Sequence, residues 1–341
     1  MRLPLDFVTH FVTLRRREYT RVVNVADGTT KQIERIETRS MHVKAYRRLP
    51  ILLLVLVVGA LALGCSGLGA VSGGKQLTLG YIDWDENVAV STLTKVLLEE
   101  KLGYEVELQR SDEAVLRQVY KGVAGGDLDA FQDVWIPNQK EYLSEVEDDV
   151  EHLDPWFEGK TEQGIAVPYY LSVRSLSKLD HAGTDMINGI EPGSAVMPQI
   201  NNKVIPGYQL DMKLVESSTS AMLSELDKAY KMREPIVFFG WSPHWMNTRY
   251  DIRYLKDPRD LQGDFNNSAK ISSIVKETLS EDDPVAYELI KSISLSKEQI
   301  NQMETDINET GDPEAGVKAW LEDNRSVVQP WTDAAKKARE T

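Results

Sequence analysis

From Leu77 onward the chain alternates short apolar runs of strand length with amphipathic runs of helix length, each closed by glycine or a capping side chain. Leu77 to Ile82 predicts a strand, Val88 to Lys101 a helix stopped by Gly103, and Glu105 to Gln109 a second strand. Asp112, after Ser111, caps a helix that runs to Ala124, and Gly125-Gly126 ends it before a strand over Leu128 to Val134. Strands in β-α-β-α-β order pair in parallel, because a crossover helix returns each to the same end of the sheet. A doubly wound α/β sheet is the expectation.

A second unit of this kind spans Ile165 to Met246, with strands over Gly164 to Pro168, Lys213 to Glu216 and Ile236 to Gly240, and a helix over Ser220 to Lys231. The tail from Pro284 to Trp331 is helical by pattern, with Ser296, Asp312 and Glu314 in capping or first-turn positions. Two α/β lobes with a helical return predict a clamshell: residues 77–167 plus 255–335 form lobe 1 and residues 168–254 lobe 2. A ligand would lie between the carboxyl ends of the two sheets, with hinge strands over Ile165 to Tyr170 and Tyr250 to Leu255.

Upstream, Ile51 to Leu63 is an apolar run broken by a single glycine, too short to span a bilayer comfortably and of signal-peptide length. Lys44, Arg47 and Arg48 precede it, and Leu61-Ala-Leu-Gly-Cys65 resembles the cleavage box of bacterial lipoproteins, in which the cysteine is lipidated. Cys65 is the only cysteine of the 341 residues, which removes disulfides and multi-cysteine metal sites. An N-terminal membrane anchor with a chance cysteine is the alternative. Met41 fits the start of a signal peptide over 41–64; residues 1–40, mixed in charge, are expected to be a gene-start error or a disordered extension, with a structured cytoplasmic extension as the alternative.

Residues 65–76, rich in Gly and Ser, read as a flexible tether. Within it, Gly69-Ala-Val-Ser-Gly-Gly-Lys75-Gln76 nearly spells a phosphate loop, but Gln76 replaces the Mg²⁺-binding hydroxyl and the segment precedes a strand. Residues 65–341 carry 28 Lys+Arg and 48 Asp+Glu, net −20 against −14 for the whole chain. Such a surface repels nucleic acid. It suits a saline exterior or simple solubility equally.

Aromatic residues fall at the strand ends, where a cleft would be: Trp84 after the first strand, Trp135 after the third, Tyr169 and Tyr170 after the first strand of the second unit, and Trp241 after Ile236 to Gly240. Any one of these rings could be a core residue; the set converging is a cage for a cation that donates no hydrogen bonds. Each ring contact contributes roughly 0.5 to 2 kcal/mol, without the desolvation cost of a carboxylate partner.

Several motifs resemble the substrate-binding proteins of glycine betaine, proline betaine, choline and carnitine ABC importers. They are Gly80-Tyr-Ile-Asp-Trp84, Asp133-Val-Trp-Ile-Pro137, Gly189-Ile-Glu-Pro-Gly193, Val215-Glu-Ser-Ser-Thr-Ser-Ala-Met222, Gly240-Trp-Ser-Pro-His-Trp245 and Tyr254-Leu-Lys-Asp-Pro258, in order over residues 77 to about 335. The resemblance implies a periplasmic-binding-protein clamshell (type II-like), each lobe a doubly wound sheet with flanking helices. It implies an ammonium cage from Trp135 and Trp241 with Trp84, Tyr169 and Tyr170. The ligand's carboxylate or hydroxyl end would meet Gly193, Ser194 and Ala195 at a helix start, with His244 adding a hydrogen bond. Glu86, two residues after Trp84, either favours the helix dipole or places an acid for a choline hydroxyl. The partners implied are an ABC permease and its ATPase, for a monomeric, extracytoplasmic, lipid-anchored protein without cofactor.

The rival class is an enzyme. His152, His181 and His244 lie in no metal spacing and beside no nucleophile motif; Ser217 and Ser218 follow a strand without a Gly-x-Ser-x-Gly elbow; and Asp83 and Asp85 alternate on an extended segment, pointing oppositely. A ligand-binding sensory lipoprotein uncoupled from transport is the remaining alternative.

Overall fold

The structure, a computed structural model, describes residues 75–111, 116–263 and 268–340. The expected signal peptide, Cys65, nearly all of the tether and the capping Asp112 lie outside the described residues. No described helix is long and apolar enough to cross a membrane.

The first sheet holds β1 (Gln76–Tyr81), β2 (Glu105–Arg110), β3 (Ala130–Ile136) and β4 (Val150–His152), joined late in the chain by β11 (Lys270–Lys276), in the order β2-β1-β3-β11-β4. β1 pairs in parallel with β2 and β3, as the crossover helices α1 (Asp85–Leu97) and α2 (Leu116–Ala124) require. Helix α1 continues as a π turn over Leu98–Leu102 and ends at Gly103, whose φ of 81° is the left-handed value that favours glycine. β3 is buried along almost its whole length, Gln132 and Asp133 included, and so carries polar side chains into the interior beside Trp135. A short helix, α3 (Lys140–Ser144), follows it.

The second sheet holds β6 (Glu162–Pro168), β7 (Met186–Asn188), β8 (Lys213–Val215), β9 (Phe238–Ser242) and β10 (Ile252–Tyr254), in the order β10-β6-β9-β7-β8. Between its strands run α4 (Val196–Gln199), a π turn (Ile200–Val204), α5 (Ile205–Tyr208), α6 (Thr219–Met232) and α7 (Met246–Arg249). A two-stranded pair, β5 (Phe157–Glu158) with β12 (Leu295–Ser296), ties the tail to lobe 1. The tail is helical as its pattern predicts: α8 (Leu279–Asp282), α9 (Pro284–Ser292), α10 (Lys297–Thr310), α11 (Pro313–Asp323) and α12 (Arg325–Ala338). Ser296 forms a capping box with Gln299, and Asp312 caps α11 through the Ala315 amide.

Two expectations need correction. The sheets are mixed, not purely parallel: β6 runs antiparallel to β9 and β10, and β11 antiparallel to β3 and β4. β6 and β11 are the strands on which the chain first enters each sheet after crossing between lobes, with no crossover helix to reverse it. The crossing also lies earlier than residue 167, because all of β6 pairs within the second sheet, and that lobe holds the chain past residue 254 through the Gln262 side chain, which accepts from the Ile165 amide at 3.0 Å. The two crossing segments meet where Thr161 Oγ1 accepts from the Ala269 amide (2.6 Å) and donates to the Ala269 carbonyl (3.1 Å). The expected hinge strands are instead β6 and β10, paired with each other inside one sheet.

Helices α10 and α11 pack so closely that a Cβ on Gly316 would meet the Ile307 backbone nitrogen at 2.5 Å and Ile307 Cγ1 at 2.7 Å. Gly316→Ala should therefore lower stability by about 1 to 3 kcal/mol, read as a shift of the denaturant midpoint at unchanged slope.

Candidate functional site

A small cavity lies between the two sheets, and three indoles line it: Trp84 before α1, Trp135 on β3 and Trp241 on β9. Phe239 lies on the same face of β9 as Trp241 and stacks on it at 6.3 Å between centroids. Each of the three indole N–H groups donates to a carboxylate. Trp135 Nε1 meets Asp133 Oδ1 at 2.8 Å, two residues back on one strand face; Trp241 Nε1 meets Glu86 Oε2 at 3.0 Å; Trp84 Nε1 meets Glu191 Oε2 at 3.1 Å. The second and third of these bonds join the lobes.

Asp85, between Trp84 and Glu86, makes a further junction. Its carboxylate accepts from His244 Nε2 (3.0 Å) and from Trp245 Nε1 (2.7 Å). His244 Nδ1 accepts the Met246 amide at 3.0 Å, which assigns the proton to Nε2. Burial raises the Asp85 pKa, but the electrostatic interaction with His244 and the bonds from His244 and Trp245 together outweigh it and hold the group below the usual carboxylate value. Asn138 Nδ2 donates across the cleft to Gln163 Oε1 at 2.8 Å.

Three buried polar atoms of cavity-lining residues have no hydrogen-bond partner among the described residues: Ser194 Oγ, Gln163 Nε2 and Asn138 Oδ1. The first two can donate and the third accepts. The rest of the lining is aromatic and aliphatic apart from Glu86 and Gln139. No cluster of three His, Cys, Asp or Glu able to hold a metal occurs among the described residues.

Of the expected site residues, Trp84, Trp135, Trp241, Glu86, Ser194 and Ala195 line this cavity. Gly193 adjoins it without lining it, and His244 lies behind Trp241, ring centroids 4.6 Å apart, engaged by Asp85. Tyr169 and Tyr170 are elsewhere. Tyr169 is half exposed under the Arg253 guanidinium, and Tyr170 donates to the Glu234 carbonyl. The cause is the direction of β6: its register sets Gln163 beside Trp241, so its far end carries the tyrosines away. Gln163, Asn138 and Phe239 are cavity residues that sequence reading missed; only the antiparallel pairing of β6 could have found the first.

Glu86, Asp133 and Glu304 are buried, and no Lys or Arg ion pair reaches them among the described residues. Burial pushes the Asp133 carboxyl up to about 8, and burial reinforced by Asp133 and Glu304 raises Glu86 well above its ordinary value. Glu304 is raised by burial and by Asp85. An acid with a raised folded pKa contributes stability below its unfolded value, and that contribution is lost as pH rises through the folded one. The melting temperature should therefore fall between pH 5 and pH 9, and Asp133→Asn, which keeps an acceptor for Trp135, should reduce that fall by several degrees in a pH series of thermal melts.

The substrate-binding domain of the ABC-type glycine betaine transport system is the family whose model matches residues 75–323. The glycine betaine/carnitine transport binding protein GbuC of Listeria monocytogenes is 38% identical over 154 residues, 44% of this chain; the chain spans about half the length of that relative (50%). Among solved structures, lactococcal OpuAC in its closed form with glycine betaine is similar with a TM-score of 0.68 at 32% identity, over 76% of this chain and 99% of that one. An ABC-transporter choline-binding protein in complex with choline gives 0.68 at 25% identity, over 77% and 96%. With the match covering most of its length and the aromatic cleft in place, the chain belongs to the family of substrate-binding domains of ABC-type glycine betaine transport systems.

Proposed function

We propose that this protein captures glycine betaine in the cleft between its lobes and delivers it to an ABC permease and its ATPase. The observation that carries this reading is the set of three carboxylate-held indoles, drawn from both lobes, beside two unpartnered donors. The ring faces attract the diffuse charge of a trimethylammonium group, which needs no hydrogen-bond acceptor. Ser194 Oγ and Gln163 Nε2 supply donors to the ligand carboxylate at the other end, in a buried setting where an unmet donor costs about 1 to 3 kcal/mol. The named relatives are described as binding glycine betaine, carnitine or choline, which share one ammonium chemistry.

Choline is the second reading, and a specific observation favours it. Asn138 Oδ1 is an unmet acceptor in the cavity and Glu86 lines it, so either could take a hydroxyl proton. The protein is further proposed to work as a lipid-anchored monomer outside the cytoplasm, attached through Cys65.

Titration of the purified chain with glycine betaine, proline betaine, choline and carnitine, followed by tryptophan fluorescence and heat, should show betaine binding ahead of choline. Preference for choline would install the second reading, and silence across the panel would remove both. Trp135→Ala and Trp241→Ala should each weaken binding by about thirtyfold, a loss of roughly 2 kcal/mol for a desolvated ring, while Tyr169→Ala leaves affinity unchanged.

A further inference from the structure

The three indole anchors are not equivalent. Asp133 holds Trp135 from the same strand, whether the lobes are together or apart. Trp84 of lobe 1 and Trp241 of lobe 2 are each held by a carboxylate of the opposite lobe, Glu191 and Glu86. Their ring orientations are therefore completed only when the lobes meet.

Glu191 is set for this task independently of Trp84. It is buried; its Oε1 accepts the Thr219 amide at the start of α6, and its Oε2 accepts Thr219 Oγ1 at 2.9 Å. Lobe 2 thus fixes the carboxylate, and the indole of Trp84 comes to it. Unlike Glu86, Glu191 does not line the cavity, so it would act on a ligand only through the ring it holds.

We infer that Glu191 is a positioning residue for ligand binding: by clasping the Trp84 indole across the cleft it sets the rate at which the closed lobes release a quaternary ammonium ligand. The inference rests on the cage reading proposed above. A bond present in the closed form and absent in the open one biases closure without changing how the open form is first entered. Its loss should appear in dissociation and leave association nearly unaltered.

The test is a double-mutant cycle on the full chain in mild detergent, with Glu191→Ala and Trp84→Phe singly and combined. Stopped-flow fluorescence would use glycine betaine and tetramethylammonium, the latter lacking any carboxylate. Glu191→Ala should raise koff about tenfold for both, as expected for a charge-assisted bond, with kon within about twofold. In the Trp84→Phe background, which has no indole N–H to hold, the same change should add less than about twofold. Should Glu191→Ala fail to fold, Glu191→Gln keeps the volume and gives the same cycle with a smaller rise. An unchanged koff, or an equal rise in the Trp84→Phe background, would overturn the clasp while leaving the cage intact; failure of the unsubstituted protein to bind either compound would overturn both.

Discussion

A carboxylate accepting an indole N–H is the interaction on which the cleft depends. A tryptophan face attracts a cation only while the ring is held at a fixed angle, and the N–H is the handle by which it can be held. Here Asp133, Glu86, Glu191 and Asp85 hold Trp135, Trp241, Trp84 and Trp245. The acids that result are buried with no lysine or arginine paired to Glu86, Asp133 or Glu304 among the described residues, and their raised pKa values express that cost.

The same bonds explain why the two sheets stand where they do. Trp84, Asp85 and Glu86 are consecutive, and each makes a hydrogen bond to lobe 2. Their partners fall in two short stretches, Glu191 in one and Trp241, His244 and Trp245 in the other. Sheet direction completes the arrangement, because β6 entering against β9 delivers Gln163 to the cavity next to Trp241. Asp85 and Glu86 also occupy the first turn of α1, where negative charge is favoured by the helix dipole, so both roles assigned to acids there are compatible.

Much of this was legible in the residues. Periodicity located β1, β2, α1, α6 and the tail helices within a few residues, and the convergence of Trp84, Trp135 and Trp241 followed from their places at strand ends. What could not be read was direction. β11, with Ser272 and Ser273 in its middle, has no distinctive pattern, and nothing local distinguishes an antiparallel entry strand such as β6 from a parallel one. That single ambiguity displaced the lobe boundary and set Tyr169 and Tyr170 beside a cavity they do not line. His244 illustrates a different limit: the carboxylate that engages it, Asp85, comes from the other lobe, so only the folded cleft reveals the contact.

The turn between β1 and α1 has a consequence for how the chain can vary. Around a helix start, successive side chains fan out by about 100° per residue, so Trp84, Asp85 and Glu86 address three separate destinations on the facing lobe. Adding or deleting one residue there would rotate all three together and misdirect every one. Sequence drift in this family should thus tolerate changes of residue type in the turn more readily than changes of its length, as with the teeth of a key, which can be recut singly but not shifted along the blade.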